Sequence, residues 1–228
     1  MLSGKETIVA CSSPPGRGAV SIIRLSGDKA VSIIKKITNN RPKKKISIIK
    51  FPLDVGLNEK CVLTIFKAPN SYTGEDVVEI STHGNPYIVE RVIEKCLNSG
   101  AKLAKPGEFT LRAYLNNKLS LDQSEAVIEV INANSKASLI AAQNSLDGGL
   151  KEKISGVQEK LRETRILVET LIDFVDEDAN VYIEDVICKI EDFKRFFSSF
   201  NEDMKTYSSI SADVKVVVIG TPNSGKST

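Results

Sequence analysis

The residues best suited to chemistry are Gly220–Thr228, reading GTPNSGKST. They fit the spacing G-x-x-x-x-G-K-[ST] of a phosphate-binding loop. Gly220 and Gly225 permit the backbone angles that aim successive N–H groups at phosphate oxygens. Lys226 is placed to reach the β- and γ-phosphates, and Ser227 to ligate Mg²⁺. The run Lys215–Ile219 is apolar and β-branched, as a buried parallel strand is, and leads straight into the loop. The alternative is a glycine-rich turn without a ligand, and the strand in front of it argues against that. Elsewhere, reactive types are sparse. His83 is the only imidazole and has no acid or cysteine beside it in sequence, which favours a structural role. Cys11, Cys61, Cys96 and Cys188 lie far apart with no CxxC pair, so they read as reduced thiols and supply no zinc site.

The elements that must position these residues fall into two halves. Thr7–Cys11, Ala19–Leu25, Ile46–Phe51, Cys61–Phe66 and Val77–Ser81 are short, β-branched and bounded by Gly, Pro or Asn, and they predict strands. Between them, Ala30, Val31, Ile33, Ile34 and Ile37 make one face of a helix over Asp28–Ile37. Val89, Val92, Ile93 and Cys96 do the same over Pro86–Leu97, with Pro86 in the first turn and Asn98-Ser99-Gly100 closing it. The irregular alternation of strand and helix predicts an α+β domain rather than a doubly wound sheet.

From Leu119 the chain reads as helical for about ninety residues. Leu146, Leu150, Ile154, Val157, Leu161, Val168, Leu171 and Val175 recur at helical spacing and predict one long amphipathic helix that needs a partner surface. Val186, Ile190, Phe193, Phe197, Phe200 and Met204 predict a second, after the polar break Asp176–Asn180, giving a helical hairpin or part of a bundle. The aromatic stripe is expected to be core packing, and these helices to be scaffold.

The 228 residues carry 31 Lys+Arg against 29 Asp+Glu, with 41% hydrophobic and 26% charged residues and a mean hydropathy of -0.10. Such values belong to folded globular chains and exclude disordered and fibrous classes. No run of about 18 apolar residues is present, so no membrane span is expected, and the N-terminus carries no secretion signal pattern. The charge is unevenly spread: 19 basic against 10 acidic residues up to Lys118, then 12 against 19. A change of sign this large supports two separate units. The basic residues are scattered apart from Arg41, Lys43, Lys44 and Lys45, which read as a solvated loop more readily than as a phosphate contact.

Four stretches carry a resemblance: Pro14–Gly27 (PPGRGAVSIIRLSG), Pro69–Ile80 (PNSYTGEDVVEI), Lys105–Lys118 (KPGEFTLRAYLNNK) and the loop Gly220–Thr228. In order and spacing they resemble the MnmE (TrmE) family of tRNA-modification GTPases across the whole chain. The family usually has His-Gly-Gly where this sequence has His83-Gly84-Asn85, and Asn tolerates left-handed backbone angles well enough to keep a turn there.

The resemblance implies a tetrahydrofolate-binding and dimerisation domain over 1–118, similar to folate-dependent aminomethyltransferases, and an all-α helical domain over 119–210. Residues 211–228 would be the first strand and P-loop of a Ras-like α/β GTPase domain inserted into the helical one. It implies a cytoplasmic homodimer that works with the flavoprotein MnmG, which carries FAD. The expected activity is addition of a carboxymethylaminomethyl or aminomethyl group at C5 of wobble uridine 34 in certain tRNAs. The one-carbon donor would be 5,10-methylene-tetrahydrofolate, for which 5-formyl-tetrahydrofolate is an analogue, and GTP hydrolysis would depend on K⁺ and Mg²⁺. Because the sequence stops at Thr228, the chain as given is expected not to hydrolyse GTP.

By the same resemblance Arg24, Glu79 and Lys118 match folate-contacting positions, with Ser71 and Tyr72 in the same pocket. Asn223, Ser224, Gly225, Lys226, Ser227 and Thr228 match GTP-binding positions, with Asn223 holding K⁺ and Ser227 holding Mg²⁺. A carboxylate such as Glu79 can accept from the amide and amino groups of a reduced pterin, and cations such as Arg24 and Lys118 suit its carboxylate tail. Each has a plainer alternative: Arg24 paired with a structural carboxylate, and Glu79 facing solvent. Two other functions stay open on sequence, a regulatory GTPase with an N-terminal dimerisation platform, and a helical interaction module with a vestigial P-loop.

Overall fold

The structure is a computed structural model describing residues 6–39, 45–173, 179–211, 217, 219, 220 and 225. It separates into two compact units, Met1–Ser124 and Glu125–Thr228.

The first unit is a six-stranded sheet in the order β3-β4-β5-β2-β1-β6. Its strands are β1 (Ile8–Cys11), β2 (Gly18–Ser26), β3 (Ile46–Asp54), β4 (Leu57–Phe66), β5 (Val77–Gly84) and β6 (Lys102–Leu103). All pairings are antiparallel except β1 with β6. The helices are α1 (Ala30–Thr38), α2 (Pro86–Asn98) and α3 (Glu108–Leu115). Strand alternation sorts the side chains onto two faces. Val9, Ile23, Leu25, Cys61, Leu63, Val78 and Ile80 point to one face and pack with Ala30, Ile33 and Ile34 of α1 and with Val92 and Cys96 of α2. The other face carries Ala10, Arg24, Glu79 and Thr64 in one cross-strand row.

Several local expectations change. Asn85 is not left-handed: at φ -108° and ψ 124° it is the N-cap of α2, and its side chain accepts the Tyr87 N–H. Asn is a better N-cap than the Gly usual in the family, so the substitution suits the element it starts. Helix α3 had no element predicted, because eight residues give too few turns for a clear period.

The remaining helices are α4 (Leu121–Asn132), which begins before the unit boundary, and α5 (Lys136–Leu146), α6 (Gly149–Asp173) and α7 (Ala179–Ser211) of the second unit. The predicted long helix from Leu146 is two helices, with Leu146 ending α5. Its break is Asp147-Gly148, where Gly148 adopts φ +89°. Apolar spacing passes over a one-residue left-handed turn, and only the glycine marks it. The Ser135/Ser138 capping box starts α5. The predicted hairpin pair meets as α6 against α7, where Lys160 lies 5.1 Å over the Phe196 ring. The aromatic stripe is only part of a core, since Phe197 stays 47% exposed. Of the strand predicted over Lys215–Ile219 only Val217 and Ile219 are described, both exposed, and its other three positions lie outside the described residues. Also among the described residues, no helix is long and apolar enough to cross a membrane.

Candidate functional site

The register of β2 against β5 places Arg24 directly opposite Glu79. The guanidinium Nε donates to Glu79 Oε1 at 2.9 Å, and Nη2 lies 2.7 Å from the same oxygen as an ion pair. Among the described residues Oε2 takes no hydrogen bond, and the side chain is 22% exposed. The sheet therefore supplies the partner that an Arg inside an apolar strand requires, and that partner is the second candidate residue itself. The same guanidinium lies 5.3 Å over the Tyr72 ring and 5.7 Å over the Phe109 ring. A cation between two aromatic faces and one carboxylate is held by charge, hydrogen bonds and the ring quadrupoles together.

Two segments bring the aromatics to the sheet. The loop between β4 and β5 carries Tyr72, whose hydroxyl is 2.9 Å from Thr110 Oγ1 of α3. Helix α3 carries Phe109 and leads to Lys118, whose amide donates to Ala113 O at 2.8 Å. Gly74, at φ +78°, makes room for the Lys118 stem, since a Cβ there would lie 3.2 Å from Lys118 Cγ and 3.1 Å from Asn116 Cβ. Lys118 is exposed. Thus Arg24 and Glu79 are in contact, and Lys118 sits against the loop that presents Tyr72.

Beneath these residues runs a buried polar network not foreseen from the sequence. Ser26 Oγ donates to Glu75 Oε2 at 2.7 Å and lies 2.6 Å from Thr73 Oγ1. With its one proton on Glu75, Ser26 accepts from the Thr73 hydroxyl. Arg112 Nη1 donates to both Glu75 oxygens, at 3.3 and 3.1 Å, and Nη2 donates to Glu108 Oε1 at 3.0 Å. Asn116 Nδ2 donates to Thr73 O at 2.7 Å. Burial works to raise the Glu108 pKa, but the Lys105 N–H and Arg112 more than offset it and hold the carboxyl below its ordinary value. Phe109, Glu75 and Arg112 lie inside stretches noticed in the sequence, yet nothing in their spacing distinguished them from surface charges and a core aromatic.

His83 has an acid partner that its sequence neighbours do not show. Its Nδ1 lies 2.6 Å from Glu59 Oε1, and its backbone N–H donates to the same oxygen at 3.2 Å. The acid is on a neighbouring strand, 24 residues earlier, so sequence adjacency could not reveal it. Of the predicted nucleotide loop, only Gly220 and Gly225 are described; Gly225 takes φ +78° with open space around its Cα. Asn223, Ser224, Lys226, Ser227 and Thr228 lie outside the described residues. Among the described residues, no group of three or more His, Cys, Asp or Glu is arranged to hold a metal ion.

Comparison with known proteins bears on both units. The family described as GTP-binding protein TrmE N-terminus matches residues 7–118, and the MnmE helical domain family matches residues 121–214. A protein named tRNA modification GTPase MnmE from Francisella tularensis subsp. novicida is 40% identical over 226 residues, covering 98% of this chain and 50% of that protein. The protein of the same name from Francisella philomiragia subsp. philomiragia is 39% identical over the same share. The chain thus spans about half the length of the curated relatives it matches. With both family domains matched in order, and the fold showing a mixed sheet followed by helices, the chain belongs to the MnmE (TrmE) family.

Proposed function

We propose that this chain is the folate-binding and helical portion of a tRNA-modification GTPase. Its relatives bear that name, and both units match that family's domains. The observation that carries the folate part is the Arg24–Glu79 pair on the open sheet face, flanked by Tyr72 and Phe109.

The residues present fit a reduced folate. Glu79 keeps Oε2 for a pterin N–H donor, while Arg24 fixes the orientation of the carboxylate. Because Arg24 is a cross-strand neighbour of Glu79, both act on the pterin end, and the tail carboxylate falls to exposed Lys118. Tyr72 and Phe109 offer flat apolar surface for the ring system. When bound, methylene-tetrahydrofolate would supply the one-carbon unit. The wider activity follows the family: with the FAD-carrying MnmG, and as a homodimer, the whole protein would modify C5 of wobble uridine 34. GTP would bind at Asn223–Thr228 with Asn223 on K⁺ and Ser227 on Mg²⁺, and its hydrolysis would be potassium-dependent. The cytoplasm is the compartment in which such an enzyme meets its tRNA.

Calorimetric titration with 5-formyl-tetrahydrofolate tests the folate part. Saturable binding of about one folate per chain, lost in Glu79→Ala while circular dichroism is unchanged, is expected from a site with so few convergent polar groups. Binding that survives Glu79→Ala, or no binding by the parent chain, refutes the folate assignment.

A further inference from the structure

The candidate site is assembled from three separate segments: β2 with Arg24, the β4–β5 loop with Tyr72, and α3 with Phe109 and the approach to Lys118. Backbone pairing fixes Arg24 against Glu79, but it fixes neither aromatic. The side chain common to all three segments is Glu75. One of its carboxylate oxygens takes the Ser26 hydroxyl, two residues along β2 from Arg24 and on the same face. Both oxygens take Arg112 Nη1, one helical turn after Phe109. Its own loop bears Tyr72 three residues earlier, and Thr73 closes the ring through Ser26 and the Glu75 N–H.

We propose that the Glu75–Arg112 ion pair is the positioning element of this site, setting Tyr72 and Phe109 at their separations from Arg24 without touching the ligand. The inference rests on the folate reading for its ligand, although the geometry it describes does not. The pair is nearly enclosed, with side-chain exposures of 10% for Arg112 and 15% for Glu75. A surface pair would hold nothing in place, because water competes for both partners. An enclosed carboxylate with several donors at fixed angles has a narrow range of positions and transmits that to the segments it joins. A planar guanidinium facing two carboxylates is specific in a way that a lysine ammonium is not.

The test uses this chain with 4-fluorophenylalanine at position 109, in wild type, Glu75→Gln, Arg112→Lys and Ser26→Ala. Ser26→Ala removes only the link to β2 and keeps the buried ion pair, so it stays informative if either charge variant fails to fold. The first readout is the ¹⁹F shift at position 109 in folded protein; the second is the dissociation constant for 5-formyl-tetrahydrofolate. The expectation is a moved ¹⁹F signal in all three variants and affinity weakened about tenfold or more, the scale on which misplaced binding groups are felt. A destabilisation with unchanged ¹⁹F shift and unchanged affinity of the folded fraction shows a merely structural network and overturns the proposal. If wild type binds no folate, the folate reading fails, and the ¹⁹F shift alone decides the positioning role: moved supports it, unmoved overturns it.

Discussion

The Arg24–Glu79 pair gives the sharpest test of the sheet geometry, through a double-mutant cycle of Arg24→Met and Glu79→Gln. At the observed 2.7 Å, two unit charges attract by about 1.5 kcal/mol in water and by about 6 kcal/mol at an effective dielectric constant near 20. The side chains are 24% and 22% exposed, so the pair sits between a solvated and a buried one. Exposed pairs are worth about 0–1 kcal/mol, whereas breaking a buried one costs about 3–5 kcal/mol, much of it from the stranded charge. After desolvation, a coupling of about 1–2 kcal/mol is expected, equivalent to a change of about 5- to 30-fold in the folding equilibrium. Hydrogen-exchange mass spectrometry on peptides from β2 and β5 reads this within the sheet unit and needs no assumption about how the helical unit unfolds. Arg24→Met should cost more than Glu79→Gln, because it also removes the cation from two aromatic faces. A coupling below about 0.5 kcal/mol would mean a fully solvated pair, and would refute the reading of Arg24 and Glu79 as a half-buried pair.

Gly84→Ala should destabilise the sheet by about 1–3 kcal/mol, because the new Cβ would lie 2.5 Å from Gly18 O, a backbone atom that cannot swing aside; a urea midpoint for the sheet unit equal to wild type would contradict the β2–β5 register. Glu108 has a lowered pKa, so its contribution to stability is present above its ordinary value of 4.5 and is lost as pH falls through the lowered one. Glu108→Gln should therefore flatten the loss of stability below about pH 4.5, and an unchanged acid limb in pH-resolved urea titrations would exclude it as a contributor. Burial pushes Cys61 and Cys96 up to about 12, while Cys188 is exposed and Cys11 half-buried. A thiol reagent should label Cys188 first and Cys11 more slowly, and reach the other two only on unfolding; early modification of Cys61 or Cys96 by peptide mapping would show that the core is not closed.

The outline of the fold was legible because strands and long helices print their period on the chain. The Val78/Ile80 alternation and the Ile33/Ile34 pairing are local facts that survive any arrangement of neighbours. Local breaks were harder. Gly148 splits a run whose apolar spacing continues across it, and Asn85 turned out to be an N-cap because α2 begins directly after it.

What the sequence by itself determined was the order of the two units, the face of each strand that is apolar, the phosphate-loop pattern at Gly220–Thr228, and the family motifs that singled out Arg24, Glu79 and Lys118. What only the tertiary structure decided was which of these residues meet. Arg24 and Glu79 are 55 residues apart in sequence and in contact through strand register. Glu59 and His83 are 24 apart, and Glu75 and Arg112 are 37 apart. Local sequence specifies conformation through sterics and periodicity, within a turn or two of the residue concerned. A binding site is built from the ends of several such elements, and their meeting is set by the one packing arrangement that buries the apolar faces together while leaving every buried charge a partner.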